Sequence, residues 1–157
     1  MMEVGELKEN EIQQLLGLYD LFLEDQRGRD EHFLGKSDYS AKLKEEHFRR
    51  TISSEINKIF VGKDNNSIVG FMAISVNKPN FFFDFEQHGY IYDGFVIENY
   101  RNTTLCFRLF NECEKWAKQH GCKYVTAYAF AFNERAQACF KATKMEPYKI
   151  TYVKKIP

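Results

Sequence analysis

The chain has 157 residues, and its 22 Lys+Arg balance its 22 Asp+Glu, so the formal net charge is zero. That length suits one domain, residues 1–157 as a single unit, and the balanced charge gives no global attraction to nucleic acid or to an anionic membrane. With 44% hydrophobic, 28% charged and 16% aromatic residues, the composition excludes a disordered chain and points to large aromatic core contacts.

Residues 1–10 are polar and acidic and carry no apolar leader segment. No apolar run reaches the roughly 18 residues of a membrane span. A cytoplasmic protein is expected. Asn10 and Gln13 have the spacing of a capping box, and Ile12, Leu15, Leu16, Tyr19, Phe22 and Leu23 follow at helical spacing. This first helix should end near Arg27 and Gly28, before a polar loop through Lys36. A second helix should start at Ser37 or Ser40 and run past Arg50, with Leu43, Phe48 and Ile52 as its apolar stripe.

Ile59–Val61, the turn-forming Asp64–Ser67 and Ile68–Val76 read as a β-hairpin. Phe81–Phe85 is either a strand extension or an aromatic loop, and Gly89–Ile97 is a further strand. In that strand, residues 91, 93 and 95 should share one face. Leu105, Leu109, Phe110, Cys113, Trp116 and Ala117 form one face of a third helix, which Gly121 should close in the left-handed conformation. Lys123–Phe132 reads as a strand. Asn133 should cap a helix through Lys141, and Tyr148–Val153 reads as a last strand. The order α, α, β, β, β, α, β, α, β describes a mixed α/β domain on one sheet. Cys106, Cys113, Cys122 and Cys139 have no metal-ligand spacing, so no zinc is expected and the four read as small buried side chains.

The strand before Glu98 and the helix after Arg101 would aim free amides and the positive end of the helix dipole at one place. An anionic group fits there without special side chains. Arg101 would add a cation, and Asn102, Thr103 and Thr104 would add donors.

Together, Val96-Ile97-Glu98-Asn99-Tyr100-Arg101-Asn102-Thr103-Thr104-Leu105-Cys106 and Asn133-Glu134-Arg135-Ala136 through Phe140 to Met145 resemble the core of the Gcn5-related N-acetyltransferases (GNAT). Their order, with the two leading helices and the hairpin, extends the resemblance over most of the chain. It implies a central mixed, mostly antiparallel sheet, splayed between the fourth and fifth strands and flanked by helices. It implies acetyl-CoA as co-substrate, with no metal. Pantetheine would lie along Phe95, Val96 and Ile97, and pyrophosphate on Arg101 and the amides from Asn102 through Thr103, Thr104, Leu105 and Cys106 to Phe107. Asn133 and Phe140 would border the cofactor.

Two family features are changed. The loop glycines are Thr104 and Cys106, and the usual thiolate-protonating tyrosine is Phe140, which has no proton to give. A thiol with a pKa of about 8.5 leaves tolerably without such a donor. Asp93 is the first candidate for general base or amine anchor, though it is also placed to cap a bulge. Glu86 is the alternative base, and Tyr128 the replacement acid. The acceptor would be a primary amine of a small molecule or peptide, and Asp84, Glu86 and the Phe81–Phe85 rings would suit a cation. The resemblance is also compatible with a homodimer. The competing reading is a GNAT-fold protein that binds CoA, another ligand or a partner without acetyl transfer.

Overall fold

The computed structural model describes residues 1–30, 40–78 and 87–157. Its centre is the expected hairpin, strands β2 (Asn57–Asp64) and β3 (Ser67–Asn77). Asn65 and Asn66 make the turn, at φ 47° and 67°. That left-handed geometry matches the right-handed twist of the flanking strands, and asparagine tolerates it. Strand β1 (Met2–Glu6) pairs antiparallel with β2, and β4 (His88–Val96) pairs antiparallel with β3. The three-residue β5 (Val125–Ala127) pairs parallel with β4, completing a five-stranded sheet in the order β1-β2-β3-β4-β5.

Helix α1 (Ile12–Arg27) and helix α2 (Ala41–Ile52) cover one face. Ile12, Leu15, Leu18 and Phe48 pack there on Ile59, Val61, Phe71 and Ala73. Helix α3 (Leu105–Gln119) covers the other, where Leu105, Leu109, Phe110, Cys113, Trp116 and Ala117 pack on Phe60, Met72, Ile74 and Ile91. Burying each Leu, Ile, Val, Phe or Met among them contributes about 1.5–3 kcal/mol. The last fully buried residue of the chain is Ala117. Gly121 closes α3 at φ +77°. Helix α4 (Glu134–Ala142) starts where the Asn133 side chain accepts from the Ala136 amide at 3.2 Å.

The start of α3 is seated by glycines. An ideal Cβ on Gly62 would lie 2.3 Å from a Leu105 methyl, and one on Gly70 would lie 3.1 Å from Leu105 and 3.2 Å from the Phe95 carbonyl. Only side chains this small let the first turn of α3 sink against the sheet. Arg108 then ties α3 to β1 through the Met2 carbonyl at 3.0 Å.

Several expectations are corrected. Strand β1 opens the chain unforeseen, because a five-residue edge strand containing two glutamates has no apolar signature. At the start of α1, Glu11 takes the capping role by accepting from the Lys8 amide at 2.9 Å, in place of Asn10 and Gln13. Helix α2 is capped by Ser40, whose hydroxyl accepts from the Leu43 amide at 3.3 Å. The Ser37 alternative lies outside the described residues. The strand expected over Lys123–Phe132 pairs only at Val125–Ala127, and Tyr148–Val153 forms no strand. A β5 of three residues offers too short an edge for another strand to add to.

Cys106 and Cys139 are joined in a disulfide, which corrects their reading as small buried side chains. The fold brings α4 across the start of α3, an adjacency that spacing along the chain does not carry. Cys113 is fully buried as expected, and burial raises its pKa.

A bulge corrects the face assignment in β4. Ala73 pairs with Asp93 but Ile74 pairs with Ile91, so Tyr92 is an extra residue. Alternation is broken there. Ile91 lies in the α3-side core, whereas Tyr92 and Phe95 pack on the α1–α2 side.

Candidate active site

The parallel pairing of β4 and β5 runs from Gly89 and Val125 to Ile91 and Ala127, then stops. Strand β4 continues to Val96, paired only with β3 on its far side. The two strands therefore part at the bulge. Beyond it, the free edge of β4 can accept an extended ligand in the manner of an added strand. Phe95 and Val96 lie on this stretch, and Ile97 follows it, its amide donating to the Val69 carbonyl at 3.0 Å.

At the far end of this opening stands the loop before α3. Glu98–Tyr100 is a single 3-10 turn, and α3 proper begins at Leu105, four residues later than Arg101. Thr103 organises the loop: its hydroxyl donates to the Tyr100 carbonyl at 2.6 Å and accepts from the Leu105 amide at 3.2 Å. Asn102 and Thr104 are exposed, and Thr104 is the cap residue without a side-chain cap bond. The amides of Cys106 and Phe107 fall in the first turn, where a helix has no carbonyl of its own to offer them. An anion fits this place by its free donors and by the helix dipole. The Arg101 side chain is partly committed. Its Nε donates to the Val96 carbonyl at 2.8 Å, its guanidinium lies 5.3 Å from the Phe95 ring centre, and it approaches the Asp25 carboxylate at 3.9 Å.

The other end of the opening holds Asp93. The bulge turns it toward α1, where the Tyr19 hydroxyl donates to its carboxylate at 3.0 Å. Burial pushes the Asp93 pKa up to about 6, against the lowering effect of the Tyr19 bond. Tyr19 is fixed by ring contacts with Phe22, Phe48 and Phe71 at 5.4, 5.5 and 5.7 Å. Tyr90, Tyr92 and Tyr128 also surround the carboxylate electrostatically, and burial and Asp93 raise the pKa of each; Tyr92 is pushed up to about 12. Tyr128 lies one residue past β5 and stacks on Tyr90, with ring centres 6.4 Å apart. Phenol rings around one carboxylate suit a cation, by Coulomb attraction and by the ring faces.

Of the residues singled out from the sequence, Asp93 and Tyr128 come together at this end, and Phe95 to Cys106 line the way to the other. Phe140 is half-buried on α4, next to the disulfide, and Asn133 serves as the α4 cap. Glu86, Asp84 and the Phe81–Phe85 segment lie outside the described residues. Tyr19 is the contributor that sequence reasoning passed over. Its helical spacing placed it correctly in the core, and nothing along the chain links it to a residue 74 positions away.

A family model described as the acetyltransferase (GNAT) family matches residues 15–144. Comparison with curated protein sequences gives no match. Solved structures match along nearly the whole chain. The aminoglycoside N-acetyltransferase AAC(6')-Iy, solved in complex with CoA, superposes with a TM-score of 0.82 at 13% identity, covering 99% of this chain and 95% of that one. The aminoglycoside 6'-N-acetyltransferase AAC(6')-Ih from Acinetobacter baumannii gives 0.76 at 18% identity, covering 100% and 99%. A predicted acetyltransferase from Clostridium acetobutylicum, solved with acetyl-CoA, gives 0.78 at 15% identity, covering 99% and 96%. At such identities the likeness speaks for the fold.

Proposed function

The chain belongs to the GNAT acetyltransferase family, and from that premise we propose that it is an N-acetyltransferase moving the acetyl group of acetyl-CoA to a primary amine by direct attack. The observation that carries this reading is the half-buried carboxylate of Asp93, set beside the parting of β4 and β5 and ringed by phenols. Two structural neighbours are described as aminoglycoside acetyltransferases, and two were solved with CoA or acetyl-CoA. The acceptor is accordingly a small-molecule or peptide amine. A cytoplasmic location and pairing into a homodimer belong to the same reading.

The residues fit a nucleotide thioester as co-substrate. The free edge of β4 at Phe95 and Val96, with Ile97, would take the extended pantetheine. Arg101, Asn102, Thr103, Thr104 and the first-turn amides from Leu105 to Phe107 would take the pyrophosphate. Asn133 and Phe140 would border it from α4. Leu105 would contribute least through its amide, which Thr103 already holds.

An amine arrives largely as ammonium and must lose a proton before it attacks. With a pKa near 6, Asp93 is ionised at neutral pH and still basic enough to share that proton. The amine nitrogen then forms its bond to the acetyl carbonyl carbon and an oxyanion develops; the carbon–sulfur bond breaks and the nitrogen releases its second proton to solvent, giving the amide and the CoA thiolate. Backbone amides of β4 beside the bulge would meet the oxyanion. Tyr128 is the candidate to return a proton to the thiolate. Its raised pKa keeps the phenol protonated at neutral pH, and Phe140 leaves that role open. Glu86 remains the second candidate base.

The test is thiol release from acetyl-CoA against an amine panel, after calorimetric titration with CoA and acetyl-CoA. Saturable binding followed by amine-dependent release supports acetyl transfer. Saturable binding without release by any amine supports the second reading, a GNAT-fold binding protein, which Phe140 and the altered loop glycines favour. No binding at millimolar cofactor overturns both.

A further inference from the structure

A second cation shares the Asp25 carboxylate with Arg101. Just past the end of α1, Arg29 reaches back to Asp25 and makes an ion pair at 2.7 Å. Its guanidinium lies 5.3 Å from the ring centre of Phe132, beyond β5. Arg101 lies the same distance from Phe95, on β4, and approaches the same Asp25 carboxylate at 3.9 Å. The two arginines are thus laid on one ring from β4 and one from the chain past β5, with one carboxylate between them. Gln26 adds a hydrogen bond to that carboxylate at 3.1 Å.

Among the contacts of the described residues, the Asp25 carboxylate meets two guanidiniums. The Arg29 contact is a full hydrogen bond, whereas Arg101 stands at the limit of an ion pair. The trio of Arg29, Asp25 and Arg101 carries one net positive charge, and its Arg101 member stands four residues before the start of α3. Guanidinium groups bind phosphate oxygens in forked, charge-assisted pairs. The ring contacts are made by the guanidinium faces, so neither uses up an N–H.

We propose that Arg29 is a phosphate-binding residue for the CoA moiety, and that Asp25 holds it in place until the pyrophosphate takes over as its partner. This rests on the acetyl-CoA reading above and assigns it a residue outside the family loop. Thr104 and Cys106 keep the phosphate farther from the backbone than glycine would. A second guanidinium reaching in from α1 makes up the lost attraction at longer range.

The experiment is calorimetric titration of the full chain with CoA, at low and high salt, for the wild type, Arg29→Ala, Arg29→Lys and Asp25→Asn. Thermal unfolding of each variant serves as the folding control. Arg29→Ala is expected to weaken CoA binding about tenfold or more at low salt, which is about 1.4 kcal/mol. At about 1 M salt, where screening shortens to about 3 Å, the ratio to wild type should fall below about threefold. Arg29→Lys should recover part of the loss. Asp25→Asn should bind CoA as tightly as wild type or more tightly. The proposal is overturned if Arg29→Ala stays within twofold of wild type, or if its loss is the same at both salts, which would make Arg29 a structural support for Phe132. It is also overturned if Asp25→Asn weakens binding as much as Arg29→Ala. A wild type that binds no CoA removes the cofactor reading itself, a result distinct from all of these.

Discussion

At the scale of single residues, the proposed chemistry turns on Asp93 and on the hydroxyl that Tyr19 lends it. Asp93→Asn should lower turnover about 100-fold, within the range for loss of a positioned base, while acetyl-CoA affinity stays within about twofold. A drop in affinity of the same size as the drop in turnover would make Asp93 a binding residue instead. Because the carboxylate must be ionised, kcat/KM should rise with pH through about 6. The Tyr19 bond favours the ionised form, so Tyr19→Phe should carry that acid limb to higher pH. A pH–rate profile reads the shift directly, and an unmoved limb would exclude Asp93 as the titrating group. A sequence carries half of this arrangement. It shows a carboxylate inside a β-rich run, and it misses the bulge at Tyr92 that rotates the carboxylate toward α1. Bulges arise from the fit between two strands, and neither strand announces them alone.

At the scale of elements, legibility followed the source of each element's stability. Asn65-Asn66, Ser40, Gly121 and Asn133 act on backbone a few residues away, and each does what its side chain dictates. Strands at the margins of the sheet were poorly legible, although the central β2, β3 and β4 were read: β1 was missed, β5 was drawn too long, and the strand at Tyr148–Val153 does not form. The seat of α3 lies between these cases, because glycines in β2 and β3 are visible but the close approach they permit is not. Gly62→Val should destabilise the protein by about 1–3 kcal/mol through overpacking against Leu105. By displacing the first turn of α3 it should also weaken CoA binding, measurable by denaturant unfolding and titration together. Unchanged stability would mean that Leu105 finds another rotamer. Helix α4 has no buried residue, so its hold on the domain leans on the Cys106–Cys139 link. Cys139→Ala should speed amide exchange across residues 134–142 while leaving the exchange of β2 and β3 amides unchanged.

For the molecule as a whole, the same buried groups shape stability against pH. The folded state raises the pKa of Asp93 above its unfolded value, so it binds more protons than the unfolded chain between about pH 4 and 6. Stability from this group therefore falls as pH rises through that window. Glu11 works the other way. Burial pushes its pKa up, but Lys63 at 2.7 Å and the Lys8 amide outweigh it, and its contribution is lost as pH falls. His47, lowered by burial and by Arg50, likewise favours the folded state as pH rises past its unfolded value near 6.5. Asp93→Asn should accordingly unfold at a higher temperature than wild type at pH 7, with the difference closing toward pH 4. A constant difference at all pH values would show that Asp93 carries no ionisation cost. A site that weakens its own scaffold in order to work is a common trade.

No residue beyond Ala117 is fully buried. The stretch that follows nevertheless brings Tyr128 near Asp93 and Phe132 against Arg29. Substitutions there meet little packing resistance, so this stretch can drift in sequence while the hairpin and the first three helices keep the chain folded.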